Sequence, residues 1–230
     1  MIHVLDEQLA FPDPQDANQD GLLAIGGDLQ EKRLLLAYEN GIFPWYSEGE
    51  PILWFSPDPR LILRPTQFKA SASLARKRSS GSFETKFDSA FSEVIQRCSA
   101  IKREKQMGTW ITRDMITAYE KLHEIGRAHS VETYSEGKLV GGLYGLSIGR
   151  AFFGESMFHE VSDASKLALW ALSQRLAKWN FDLIDCQMTT AHLLTLGAQE
   201  MPRAEFLKLV RESVVKKAPP SNWRMAPPTA

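Results

Sequence analysis

The stretch KLVGGLYGLSIGRAFFGESMFHEVSDASKLALWALSQRLAKWNFDLIDCQ, residues 138–187, decides the fold. Lys138 to Leu146 and Arg150 to Phe158 read as two strands joined around Ser147-Ile148-Gly149. Ala164, Leu167, Ala168, Ala171, Leu172 and Leu176 then recur at helical spacing, which predicts a helix from Asp163 to Trp179. Phe181 to Gln187 is short and apolar, as a buried strand would be. Strand, strand, helix, strand is the order of an α+β domain with a mixed sheet.

Outward from this centre the pattern stays legible in places. Asp28 followed by Glu31 reads as a capping box, opening a helix through Leu34, Leu35 and Tyr38 that stops at Gly41. A second helix is expected from Asp114 to Ile125, with Met115, Ile116, Tyr119, Leu122 and His123 on one face and Gly126 as its stop. His123 on that face reads as a satisfied core histidine. Pro202 at the first helical position opens a C-terminal helix ending near Val215, and the Pro/Ala-rich tail after Lys217 is expected to fray.

Between the first two helices lies GIFPWYSEGEPILWFSPDPR, residues 41–60, with five aromatics and four prolines. Proline fixes φ and extends the residue before it, so this segment is no helix and is not expected to be a central strand. Stiff aromatic loops either cap a core or present rigid rings to a ligand.

At 230 residues the chain holds one large or two small domains with a true core. No apolar run approaches the ~20 residues of a membrane helix. The opening MIHVLDEQLAFPDP lacks a basic region followed by an apolar one, so neither a leader nor a span is expected. Cys98 and Cys186 are far apart and read as reduced thiols of a cytosolic protein, and the five histidines show no ligand spacing, so no metal is expected. The net charge of −1 hides an asymmetry. Residues 1–50 carry ten Asp/Glu against Lys32 and Arg33, whereas residues 60–105 carry eleven Lys/Arg against four acids. A local basic segment is the footprint a phosphate backbone requires, and a solvated face paired with the acidic N-terminal region is the plain alternative.

Polar residues inside apolar strands need partners or a task. Residues two apart in a strand share a face, so Asp185 and Gln187 point one way and Ile184 and Cys186 the other. By the same rule Glu155 shares a face with Phe153 and Met157. A buried Lys or Arg would explain Asp185, and an edge position would explain Glu155. A reactive site would explain both.

Six ordered blocks carry a more specific signal. They are Asn18 to Leu29 (NQDGLLAIGGDL), the aromatic stretch 41–60, Gly108-Thr109-Trp110-Ile111-Thr112, and Gly154-Glu155-Ser156-Met157-Phe158 with Ala164-Ser165-Lys166. Leu183-Ile184-Asp185-Cys186-Gln187 and Leu196-Gly197-Ala198 with Pro202-Arg203 complete the set. Together they resemble the leucyl/phenylalanyl-tRNA–protein transferase family over nearly the whole chain, least between Phe68 and Gln106 and after Val210.

That resemblance implies a small N-terminal α/β domain over residues 1–65 and a GNAT-like aminoacyl-transfer domain over 66–230, working without coenzyme A or any other cofactor. His159-Glu160-Val161-Ser162-Asp163, ahead of the long helix, has no glycine and two acids and is a poor pyrophosphate cradle. The implied reaction moves Leu, also Phe, with Met as a further candidate, from its tRNA to the α-amine of proteins beginning with Lys or Arg, marking them for degradation. Leucyl-tRNA, phenylalanyl-tRNA and such proteins are the expected partners, with no membrane, and the enzyme is expected to be a cytoplasmic monomer. Catalysis is assigned to Asp185, Gln187 and Glu155. Gln187 accepts from the amine, Asp185 accepts from the Gln187 NH₂, and either acid is open as the reader of the acceptor's cation. Proton transfer through the ribose 2′-OH stays open beside these roles. The amino-acid pocket is assigned to Trp110, Leu143, Phe152, Phe153, Ser156, Met157 and Phe158, with Trp45 and Trp54 to stack on the terminal adenosine. Arg76, Lys77 and Arg78 are the expected tRNA contacts. A non-catalytic RNA-binding module and a coenzyme A-dependent N-acyltransferase are the alternatives.

Overall fold

The computed structural model describes residues 2–101, 110–218 and 220–224. Among the described residues, strands and α-helices follow one another along the chain in three groups. The first third holds β1 (His3–Leu5), β2 (Leu22–Gly26), α1 (Glu31–Glu39), β3 (Phe43–Pro44), β4 (Leu53–Phe55) and β5 (Arg60–Leu63). Then come α2 (Ala72–Ser79), β6 (Glu84–Phe87), α3 (Phe91–Ser99), α4 (Arg113–Glu124), β7 (Ala128–Ser135) and β8 (Lys138–Ile148). The last third holds β9 (Ala151–His159), α5 (Ala164–Lys178), β10 (Leu183–Gln187), α6 (Ala191–Thr195), β11 (Gln199–Met201) and α7 (Arg203–Val214). The fold is α+β, with a four-stranded sheet ordered β1-β2-β4-β3 and a seven-stranded sheet ordered β11-β5-β10-β9-β8-β7-β6.

Residues 138–187 behave as their pattern implies. β8 and β9 form a long antiparallel hairpin, and β10 returns after α5 to lie parallel to β9. The hairpin turns at Gly149-Arg150, one residue later than expected. Gly149 takes φ +57°, and a Cβ there would lie 2.4 Å from the Ser213 carbonyl oxygen, so only glycine lets the turn pass under α7. The large sheet is covered on both faces. Leu143 and Phe152 pack with Leu169 and Leu172 of α5, and Tyr144 and Phe153 pack with residues of α1, α3 and α4.

Several local expectations are corrected. Asp28 does not cap α1, which begins at Glu31 with Gln30 as its uncapped boundary. Asp28 lies two residues upstream of that boundary, so its carboxylate instead closes a turn on the Gln30 N–H at 2.8 Å and meets Arg33 Nε at 3.3 Å. Leu53–Phe55 is an interior strand of the small sheet, between β2 and β3, because that tripeptide is free of proline. Pro202 is the boundary residue before α7 rather than its first helical residue. The tail is not frayed throughout: Trp223 is fully buried. His123 is satisfied as expected, with Nδ1 2.8 Å from the Ala128 carbonyl and its ring stacked on Phe91. β5 pairs with β10 and β11, so the chain passes from the small sheet to the large one between Phe55 and Arg60. No helix among the described residues is long and apolar enough to cross a membrane.

Candidate active site

Two irregularities in neighbouring strands build the site. β9 and β10 pair only from Ala151 and Leu183 to Phe153 and Asp185. Immediately beyond, the β8–β9 register slips between Gly154 and Ser156, leaving Glu155 as the extra residue of a bulge. The β10–β5 register slips between Asp185 and Gln187, leaving Cys186 likewise, and Gln187 sits at φ +60°. Past these points the strands diverge, and a cavity of about 470 Å³ opens between them, lined by both segments together with Trp45 and Trp110. A deeper recess of about 90 Å³ shares Glu155, Ser156, Met157 and Cys186 with the mouth and is walled by Leu143, Phe152, Leu169, Leu172 and Ile184.

Glu155 is the electrostatic centre. One carboxylate oxygen accepts from Tyr38 at 2.7 Å and from Gln187 Nε2 at 2.9 Å, and the other accepts from Tyr119 at 3.1 Å. Tyr38 and Tyr119 also touch through their hydroxyls. Burial pushes the Glu155 carboxyl up to about 7, with Asp185 adding to the rise and the three donors opposing it. Both phenols are held well above their ordinary value, chiefly by burial and next by the Glu155 charge.

Asp185 serves another partner. Its two oxygens take Arg60 Nε at 2.8 Å and Nη2 at 2.6 Å in a fully buried bidentate pair. Arg60 also donates to the Gly41 carbonyl and lies over the rings of Phe43 and Phe206. The expected bond from the Gln187 NH₂ to Asp185 is absent: the amide donates to Glu155, and Asp185 accepts the Gln187 backbone N–H at 2.9 Å. The bulge at Cys186 breaks the two-residue period on which that expectation rested. The same physics corrects Glu155, which shares the Phe153 side, where both meet Tyr38, while Met157 falls to the other.

The structure gathers some of the expected pocket residues and scatters others. Trp45, Trp110, Ser156 and Met157 line the mouth, and Leu143 and Phe152 line the recess. Phe153 packs on Tyr38 and Phe158 lies beneath Arg97, both behind the sheet and outside the cavity. Trp54 is fully buried, edge-on to Phe11, with its indole N–H on the Gly26 carbonyl, so it is closed to any adenosine. Gly108 and Thr109, from one motif block, lie outside the described residues, as do Lys102, Arg103 and Lys105 of the basic segment. Arg76, Lys77 and Arg78 stand on the last turn of α2. Arg76 is exposed, Arg78 lies 4.4 Å over the Trp170 ring, and Lys77 donates to Asp163 at 2.9 Å. Hydrogen bonds from Lys166 and Lys77 draw the Asp163 carboxyl down to about 2. Among the described residues no ion pair joins this basic segment to the acidic first fifty residues.

Sequence reading missed Tyr38, Tyr119 and Arg60 as site residues. The two tyrosines carried a signal as polar-tipped residues on apolar helix faces, but their meeting at Glu155 spans 117 and 36 residues of chain. Leu172 was legible as helix core and Leu169 was not singled out, and nothing local marked either as pocket. Both cysteines are free thiols, and no cluster of three or more His, Cys, Asp or Glu among the described residues is arranged to hold a metal.

An apolar recess beside a buried carboxylate–amide pair, set between two diverging strands of an α+β sheet, has the apolar and polar parts that a transferase of acyl groups requires. Family models refine that class: "Leucyl/phenylalanyl-tRNA protein transferase" matches residues 62–211, and the N-terminal domain model of the same family matches residues 27–58. The leucyl/phenylalanyl-tRNA–protein transferase of Syntrophobacter fumaroxidans is 52% identical over 95% of this chain and 94% of that protein. Its counterpart from Azoarcus sp. is 52% identical over 97% and 95%, and that from Nitrosomonas europaea 53% over 92% and 90%. The chain belongs to the leucyl/phenylalanyl-tRNA–protein transferase family and is an aminoacyltransferase. Among solved structures a GCN5-related N-acetyltransferase from Kribbella flavida matches at 11% identity and a TM-score of 0.37, over 73% of this chain and 60% of that one, too loosely to bear on the site.

Proposed function

We propose that this protein transfers Leu, and also Phe, with Met as a further candidate, from the 3′ ester of its tRNA to the α-amine of proteins beginning with Lys or Arg, marking them for degradation. It does so as a cytoplasmic monomer. The observation that carries this reading is the apolar recess walled on one side by Glu155, whose partner Gln187 lines the adjoining mouth: it suits a side chain unbranched at Cβ, with the ester carbonyl held at the polar rim. Trp45 and Trp110 at the mouth supply faces for the terminal adenosine.

The ester is already activated. The neutral α-amine attacks its carbonyl carbon, a C–N bond forms, the C–O bond to the ribose breaks, and the amine proton passes to the departing oxygen. An α-amine with a pKa near ~8 is neutral in appreciable fraction at pH 7, so the protein's task is orientation. Glu155 holds the Gln187 NH₂, which leaves the amide's carbonyl oxygen as the acceptor for the incoming amine. Three donors already occupy Glu155 and Arg60 occupies Asp185, which favours positioning roles for both acids over reading the acceptor's cation. Arg76 and Arg78 remain the proposed phosphate contacts, and Lys77 joins them only by leaving Asp163.

The test is direct. Leucyl-tRNA labelled in its amino acid is incubated with peptides starting with Arg, Lys or Ala. Label on the first two alone supports the reading, and label on none of them refutes it.

A further inference from the structure

The C-terminal tail carries an anchor whose position bears on the site. Trp223 belongs to no helix or strand, yet it is fully buried. Its indole lies 3.9 Å from the His129 ring and nearly parallel to it, edge-on to Trp179 at 5.2 Å, and 5.8 Å from Phe152. Buried Arg175 donates to the Trp223 carbonyl at 2.7 Å. Arg224 donates to the Asp88 carbonyl at 2.6 Å, and the Asp88 carboxylate in turn holds His129 and the Ser130 N–H. The tail is thus latched on both sides of the ring. The indole nitrogen itself has no hydrogen-bond partner, so the slot retains this residue for its shape.

Phe152 links the anchor to the recess. It lines the recess on one side and touches the Trp223 indole on another, and it is itself fully buried. Close-packed interiors pass displacements along such contacts, so a gap behind Phe152 lets its ring withdraw and the recess deepen. We propose that Trp223 is a positioning residue for amino-acid selection: docked behind Phe152 by the tail, it fixes the depth of the recess that receives the transferred side chain. This rests on the proposed reading of the recess as the amino-acid pocket.

The experiment measures kcat/KM for transfer from leucyl-, phenylalanyl- and tryptophanyl-tRNA to one Arg-initiated peptide, using the full chain and its Trp223→Phe and Trp223→Ala variants. In Trp223→Phe the tryptophanyl-to-leucyl ratio rises about tenfold, the scale on which pocket shape discriminates apolar groups. The ratio rises further in Trp223→Ala, and free indole returns it toward the wild-type value by refilling the vacated slot. KM for the peptide stays unchanged. Equal loss for all three tRNAs, with the ratios unmoved, overturns the proposal and leaves the tail as a stability element. Should Trp223→Ala fail to fold, Trp223→Phe decides alone. Failure of the reading beneath it shows separately, as wild-type protein that transfers none of the three residues.

Discussion

At the scale of single residues, Glu155 sets the pH behaviour. Its carboxyl sits at about 7 in the folded protein against an ordinary 4.5, so between those values the native state holds a proton that the unfolded chain has released. Stability from this group is therefore present at low pH and lost as pH rises through about 7. The melting temperature should fall between about pH 5 and about pH 7.5, and Glu155→Gln should flatten that window. Turnover moves the other way. Only the carboxylate accepts fully from the Gln187 amide, so kcat at saturating peptide climbs through about 7, and Glu155→Gln loses that limb and keeps only the rise set by the peptide's own α-amine near ~8. Gln187→Ala should lower kcat by about 10²-fold, with Glu155→Gln/Gln187→Ala little worse, because members of one unit are non-additive. A fully active Gln187→Ala enzyme would remove the amide from the mechanism. Polar residues in an apolar strand announced Asp185 and Gln187 in the sequence. Their partners were not announced, since Arg60 is 125 residues from Asp185 and no local pattern records such a meeting.

At the scale of elements, the hairpin, α5 and β10 were legible because each is an apolar run or a helical repeat of the right length, bounded by turn residues. The two bulges were not, because a single inserted residue leaves hydropathy almost unchanged and yet turns every later side chain over. That is why Asp185 and Met157 were assigned to the wrong neighbours while Phe152 and Leu143 were found. Phe91, Val94, Ile95 and Cys98 also carry helical spacing, a signal for α3 that the sequence expectations did not include. For α2, the basic turn gives a measurable consequence. Arg76, Lys77 and Arg78 changed together to Ala should weaken tRNA binding and flatten the dependence of log K on log salt. The slope should shrink by about 0.7–0.9 for each phosphate the protein no longer neutralises. Lys77→Ala alone should change the slope least, because its ammonium is already paired with Asp163. An unchanged slope in the triple variant would leave α2 as a solvated face.

At the scale of the whole molecule, the two sheets share one core. Leu23 and Trp54 of the small sheet belong to the same buried cluster as Phe153 and Leu183 of the large one. We place the division of the chain at the crossing between Phe55 and Arg60, near the boundary between the two family models. Arg60 stands just past that crossing and ties the regions together. It reaches Asp185 of β10, the Gly41 carbonyl at the end of α1, Phe43 of the small sheet and Phe206 of α7. Removing one member of a buried ion pair leaves the other charged and unpaired, at a cost of about 3–5 kcal/mol. Arg60→Met should therefore lower the melting temperature by roughly 10 °C. Pairing it with Asp185→Leu should recover much of that loss, since two apolar side chains strand no charge. Because the core is continuous, calorimetry should still record one transition in each variant. Two separated transitions in Arg60→Met would mean that the sheets fold independently and that this ion pair alone couples them.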